Sequence, residues 1–183
     1  MRPFVRPFVR LALGTIVAAG ALAACSPAYD WRTVTNSASG YSVDLPAKPR
    51  AEQRDVEIDG TPMPMSMQTA EVDRVLFVVG TLALPDDQPA TQQRAIAFLR
   101  DGLARNVGVP PATGDVAIPV SSGGSVEGIE MQIAGKAGQA QQARTIHARI
   151  VAKGAHAYEI AIVARSQPPA DQSDQFFQSF KLY

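Results

Sequence analysis

Arg144-Thr-Ile-His-Ala-Arg-Ile-Val-Ala-Lys-Gly-Ala-His-Ala-Tyr-Glu-Ile-Ala-Ile-Val-Ala-Arg165 is the stretch from which the fold is read. Apolar residues alternate with polar ones on either side of Lys153-Gly154-Ala155. Period-two alternation is the mark of a half-buried strand, so the pattern predicts a hairpin of strands 144–152 and 155–165. With those three residues as the loop, Ala152 faces His156 and Ile150 faces Tyr158. That register gathers Ile146, Ala148, Ile150, Tyr158, Ile160 and Ile162 on one face and sets Arg149 against Glu159 on the other. Apolar cross-strand pairs backed by a charge pair are mutually supportive.

Working outward, the same period recurs. Trp31–Thr35 and Tyr41–Leu45 read as short strands, separated by the turn cluster Asn36–Gly40 and ended by Pro46 and Pro49. Val56–Ile58, Asp59-Gly60 and Met63–Val72 form a second hairpin, because Asp-Gly accepts the positive φ angles of a tight turn. Val75–Leu84 is a near-continuous apolar run suited to a central strand. Further strands fall at 116–120 and 126–134, between the flexible turns 121–125 and 135–142. From Pro89 to Val107 the period changes to that of a helix. Gln92, Ile96, Leu99, Leu103 and Val107 lie on one side; Arg94, Asp101 and Arg105 lie opposite, with Phe98 among them, either a scattered exposed aromatic, the preferred reading, or one edge of a contact surface. Asp86 or Asp87 offers a cap, and Gly108 with Pro110-Pro111 stops the helix. Pro168-Pro169-Ala170-Asp171 opens a short helix through Phe176 and Phe177. The predicted class is α+β: an antiparallel sheet of about six to eight strands with one long helix and a short C-terminal helix packed on it. No composition shift divides residues 39–183, which read as a single domain.

The N-terminus is an address. Arg2, Arg6 and Arg10 precede an uncharged stretch, Leu11–Ala24, and this is the layout of a secretory signal peptide. As a helix that stretch reaches roughly 21 Å at about 1.5 Å per residue, short of a bilayer core about 30 Å thick. Leu22-Ala23-Ala24-Cys25 resembles the lipobox of bacterial lipoproteins at all four positions. The resemblance implies cleavage before Cys25 and acylation of its sulfur and new amino group. One acyl chain holds a protein marginally, so stable anchoring takes several. Ser26, where inner-membrane retention calls for Asp, implies the outer membrane, with the domain facing the periplasm. The chain is thus divided into 1–24 signal peptide, 25–38 lipidated N-terminus and tether, and 39–183 domain. Removal of the leader leaves 14 basic residues against 17 acidic ones, so the lipid does the anchoring without help from the net charge.

Tyr29-Asp-Trp-Arg32, Tyr41-Ser-Val-Asp-Leu-Pro-Ala-Lys-Pro49, His156–Val163 and Phe176–Leu182 resemble stretches of uncharacterised proteobacterial lipoproteins, similar in layout to the PsbP/Mog1/DcrB-like group. The resemblance implies a central antiparallel sheet with flanking helices in an accessory or binding module, and no shared catalytic motif.

Composition excludes several chemistries. Seventeen basic and 17 acidic residues balance to zero, which excludes the basic stripe of a nucleic-acid binder. The single cysteine excludes an internal disulfide or a cysteine-rich metal site. No Gly-x-Ser-x-Gly elbow is present, and Gly123, Gly124 and Gly128 fit no phosphate loop. Met63, Met65 and Met67 share one face of a strand, and thioethers suit Cu(I). Their ends are about 13 Å apart at roughly 3.3 Å per residue, too far to share one ion. Core packing is the better use of them, and Pro62, Pro64 and Ser66 suit an edge strand. His147 and His156, the two histidines, fall on opposite faces in the register above and do not co-ligate. The expected function is therefore non-enzymatic: a lipid-anchored module, without cofactor, that binds an unknown protein or small ligand. A Cu(I)-binding protein using Met63, Met65 or Met67 is the alternative.

Overall fold

The computed structural model describes residues 28–105, 107–138 and 140–183. The signal segment and Cys25 lie outside them. Lys153 pairs with His156, so the turn of the quoted hairpin is Gly154-Ala155 alone. The three-residue loop is corrected to two. Gly154 takes the left-handed φ of +57°, which suits a glycine at the first central position of a two-residue hairpin turn. The slip of one residue moves every pairing. Ile150 faces Glu159, Arg149 faces Ile160, and Val151 faces Tyr158. Because side chains alternate, Ile146, Ala148 and Ile150 now lie on the opposite face from Tyr158, Ile160 and Ile162.

Among the described residues, ten strands and two helices follow in the order β1 (Arg32–Asn36), β2 (Tyr41–Leu45), β3 (Arg50–Ile58), β4 (Thr61–Val72), β5 (Val75–Ala83), α1 (Pro89–Arg105), β6 (Ala112–Pro119), β7 (Ser125–Ala137), β8 (Gln142–Lys153), β9 (His156–Ala164), α2 (Ala170–Ser179) and β10 (Lys181–Leu182). The class is α+β. The strands form two sheets, not one: β3-β4-β5-β9-β8-β7-β6, antiparallel throughout, and β1-β2-β10. β1 falls within the 25–38 segment expected to be tether, so the folded part begins before residue 39.

The outer strands β3 and β6 are mostly exposed, while the middle of the large sheet, β5 and β9 above all, is buried on both faces. On one, α1 lays Ala95, Leu99 and Leu103 over Ile146, Ala148 and Ile150 of β8 and Ala157 and Ala161 of β9. On the other, β2, β10 and α2 pack Tyr41, Val43, Leu182, Phe176 and Phe177 against Phe77, Val79, Ile160 and Ile162. Double burial explains the continuous apolar run of β5. The helix face is rotated slightly from expectation: Thr91 and Ala95 are buried, while the Gln92 Nε2 donates to the Gly154 carbonyl at 2.8 Å. Phe98 is half-buried against the α1-side core, not exposed. Asp86 accepts from the Gln88 N–H at 3.0 Å, one residue ahead of Pro89, whose fixed φ suits the first helical position. Gly108, at φ +72°, follows the helix.

β4 is an interior strand, paired to β3 and β5, which corrects its assignment to an edge. Its prolines are tolerated because the β5 ladder starts at Met65, beyond Pro62 and Pro64. Asp59 and Gly60 hold φ of +50° and +78° in the predicted tight turn.

Candidate functional site

Glu130 on β7 and His147 and Arg149 on β8 project together from the small-sheet face. The His147 Nε2 lies 3.0 Å from the Glu130 Oε1, and the Arg149 Nε donates to that same oxygen at 2.9 Å. Burial pushes the Glu130 carboxyl up, but the hydrogen bonds from His147 and Arg149 outweigh it and hold the group below its usual range. The Arg149 guanidinium sits 4.7 Å over the Phe177 ring, and the His147 ring is 4.4 Å from it. Phe177 thus docks α2 by a tilted ring contact and a cation–π contact as well as by burial.

Beside this cluster, α2 and the loop before it stand off the sheet and leave a groove of about 300 Å³. Gln132 of β7, Thr145 and His147 of β8, and Ile162 of β9 line one side; Pro168, Ser173 and Asp174 line the other. An apolar floor with amide, hydroxyl, imidazole and carboxylate groups at its margin suits a small amphipathic ligand. The Ser173 hydroxyl is engaged with the Pro169 carbonyl at 3.3 Å, and the His147 Nε2 is engaged with Glu130.

The residues singled out from the sequence lie elsewhere, with one exception. Met63 and Met65 are each 5% exposed in the core beneath α1, and Met67 is half-buried beside them. His147 and His156 share the small-sheet face, which corrects their assignment to opposite faces. They remain far apart, because His156 faces Lys153, six residues along β8 from His147, a span of roughly 20 Å at 3.3 Å per residue. Burial lowers the His156 pKa, and its ring lies 6.1 Å from that of Tyr158. Among the described residues no three His, Cys, Asp or Glu side chains are grouped to hold a metal. No described helix is long and apolar enough to cross a membrane. Glu130 and the groove were not singled out from the sequence, and Arg149 was read there only as a cross-strand partner of Glu159, which the register replaces with Ile160. The alternation of β7 and β8 carried a usable signal, since it puts Glu130, His147 and Arg149 on one face once the register is known.

Neither the protein-family models nor the curated proteins include a match to this chain.

Proposed function

We propose that this chain is a lipid-anchored periplasmic binding module, held to the outer membrane through Cys25 and taking a small amphipathic ligand between α2 and the sheet. The groove walled by Gln132, His147 and Asp174 carries the binding half of the reading. The basic leader and Leu22-Ala23-Ala24-Cys25 support the anchoring half. A helix on one face of an antiparallel sheet and a second on the other is in keeping with an accessory module of the PsbP/Mog1/DcrB-like group, which forms part of the proposal. Binding needs no reactive residue, and the engaged His147 and Ser173 are consistent with that.

Two measurements test it. Fractionation with mass analysis of the N-terminus is expected to find Cys25 as the first residue, triacylated, in the outer membrane; a free thiol there removes the anchor. Saturation-transfer NMR against a set of small amphipathic compounds is expected to give hits that disappear in Ala134→Trp, which fills the groove from β7. Hits indifferent to that change, or none, remove the groove from the function.

A further inference from the structure

Three residues separate Cys25 from Tyr29. Fully extended, that connection spans at most about 14 Å at 3.6 Å per residue. A chain anchored through Cys25 therefore keeps the region around Tyr29 close to the bilayer, whatever path the connection takes. Tyr29 stacks on Trp31 with ring centroids 6.0 Å apart, and both rings meet the edge of Phe77. The Trp31 Nε1 donates to Gln172 of α2 at 3.2 Å. Amphipathic rings of this kind favour the bilayer interface. Phe77 is the third residue of β5, so the Asp73-Arg74 turn that precedes this strand lies at the same end; burial raises the Tyr29 pKa, and the Asp73 and Asp171 carboxylates add to it.

That turn forms one wall of a second cleft, of about 230 Å³, lined by Asp73, Arg74 and Val75 on one side and Ala164, Arg165 and Ser166 on the other. Arg74 and Arg165 are exposed, and neither is in an ion pair among the described residues. With Asp73 the one acid in its lining, the cleft is cationic. Arg74 also sits at φ +65°, where the β3–β4 turn has Gly60. A side chain held in the left-handed region against its preference points to a use for that side chain.

We infer that this end of the domain docks on the membrane surface, with Arg74 and Arg165 taking a phospholipid headgroup phosphate in the cleft and Tyr29 and Trp31 lying at the interface. The inference rests on the anchored reading. It adds an orientation to it: the domain does not swing freely on its tether but seats one end on the lipid. Arginine suits a phosphate through its fork of donors, and the site draws on local charge although the mature chain is acidic overall.

Trp31 is the one tryptophan of the chain, so its fluorescence reports the docked end. The full lipidated chain is reconstituted in vesicles of phosphatidylethanolamine and phosphatidylglycerol in equal parts, with and without a headgroup-labelled quencher lipid. Docking is expected to cost Trp31 most of its emission, and Arg74→Gln with Arg165→Gln to restore most of it. Arg74→Gly, which relieves the turn, is expected to weaken quenching while raising the melting temperature, so that loss of docking is not mistaken for loss of fold. A chain that floats with the vesicles yet keeps Trp31 unquenched overturns the docking alone, as does quenching unchanged in the double variant. A chain that does not float overturns the anchor.

Discussion

Glu159 and Glu130 are two carboxylates on the same sheet with opposite fates. Glu159 lies on the α1 face in the row Met67, Gly80, Glu159, Ile150. Burial pushes its carboxyl up to about 7, with Arg54 pulling slightly the other way. A folded value above the ordinary 4.5 means that the native state holds more protons between those limits. The contribution of Glu159 to stability is then greatest below about pH 4.5, falls as pH rises to about 7, and is level above it. Glu159→Gln, which mimics the protonated acid, is expected to leave stability nearly unchanged at pH 4. At pH 8 it should add about 1–2 kcal/mol, less than the full shift implies because the carboxyl keeps some access to water. Urea unfolding at the two pH values checks this, and an equal effect at both would falsify it. Glu130 has the reverse sign: its depressed pKa contributes stability above the ordinary carboxylate range that is lost as pH falls through the folded value. Whether Glu159 is paired turns on a single residue of turn length. A three-residue loop brings Glu159 opposite Arg149; the two-residue turn puts Ile160 there and turns Glu159 to the other face, where it has no ion pair among the described residues, while Arg149 keeps Glu130, its partner across β7–β8. Alternation was legible in the sequence, but register depends on backbone angles at Gly154 that residue types alone leave open. Gly128 makes a sharper test of the packing around that hairpin. A Cβ there would meet the Ile150 carbonyl at 2.8 Å and the Val151 Cβ at 3.2 Å, so Gly128→Ala is expected to cost about 1–3 kcal/mol in urea unfolding.

Among the elements, the tight turns carry the clearest local signals and the clearest exception. The β3–β4 turn is Asp59-Gly60, and its sequence predicts its conformation. The β4–β5 turn, Asp73-Arg74, has φ of +50° and +65° with no glycine to accept them. An arginine there costs roughly 1–2 kcal/mol relative to a relaxed backbone. Arg74→Gly is accordingly expected to raise stability by about 1 kcal/mol, and Gly60→Ala to lower it by a similar amount. Denaturant midpoints at unchanged slope would check both. A stabilising Gly60→Ala would show that the turn type has been misjudged. The helix ends follow the same logic: Pro89 at the start and Gly108 after the end were readable as types, whereas the exact rotation of α1 was not. Thr91 and Ala95 displaced Gln92 from the buried side because small residues let the helix approach β8 and β9 closely. Local chemistry fixes where an element begins and ends more firmly than which side it turns inward.

For the whole molecule, the part hidden from the sequence is the part made by distant segments. The small sheet joins β2 to β10, and their partnership of Lys181 with Ser42 and Leu182 with Tyr41 spans nearly the entire folded chain. No local pattern announces it. The groove is equally non-local, built from β7, β8, β9 and α2. By contrast, the antiparallel order and the long apolar run of β5 were legible, because hairpin neighbours and burial on both faces leave marks within short windows. The terminal strand should therefore matter far more than its two residues suggest. Leu182 is fully buried, forms a bridge to Val120, and accepts from the Ser121 N–H at 2.7 Å, so it ties the small sheet to the margin of the large one. Leu182→Ala is expected to cost about 2–5 kcal/mol. If the two sheets form one cooperative unit, Trp31 fluorescence, which reports the small-sheet side, and far-ultraviolet circular dichroism, which reports the secondary structure as a whole with α1 its longest helix, should shift together in urea. An early Trp31 transition with the dichroism unmoved would mean that the small sheet and α2 can detach while the large sheet stands. The groove would then open with them, because Ser173 and Asp174 would leave while Gln132 and His147 stayed behind.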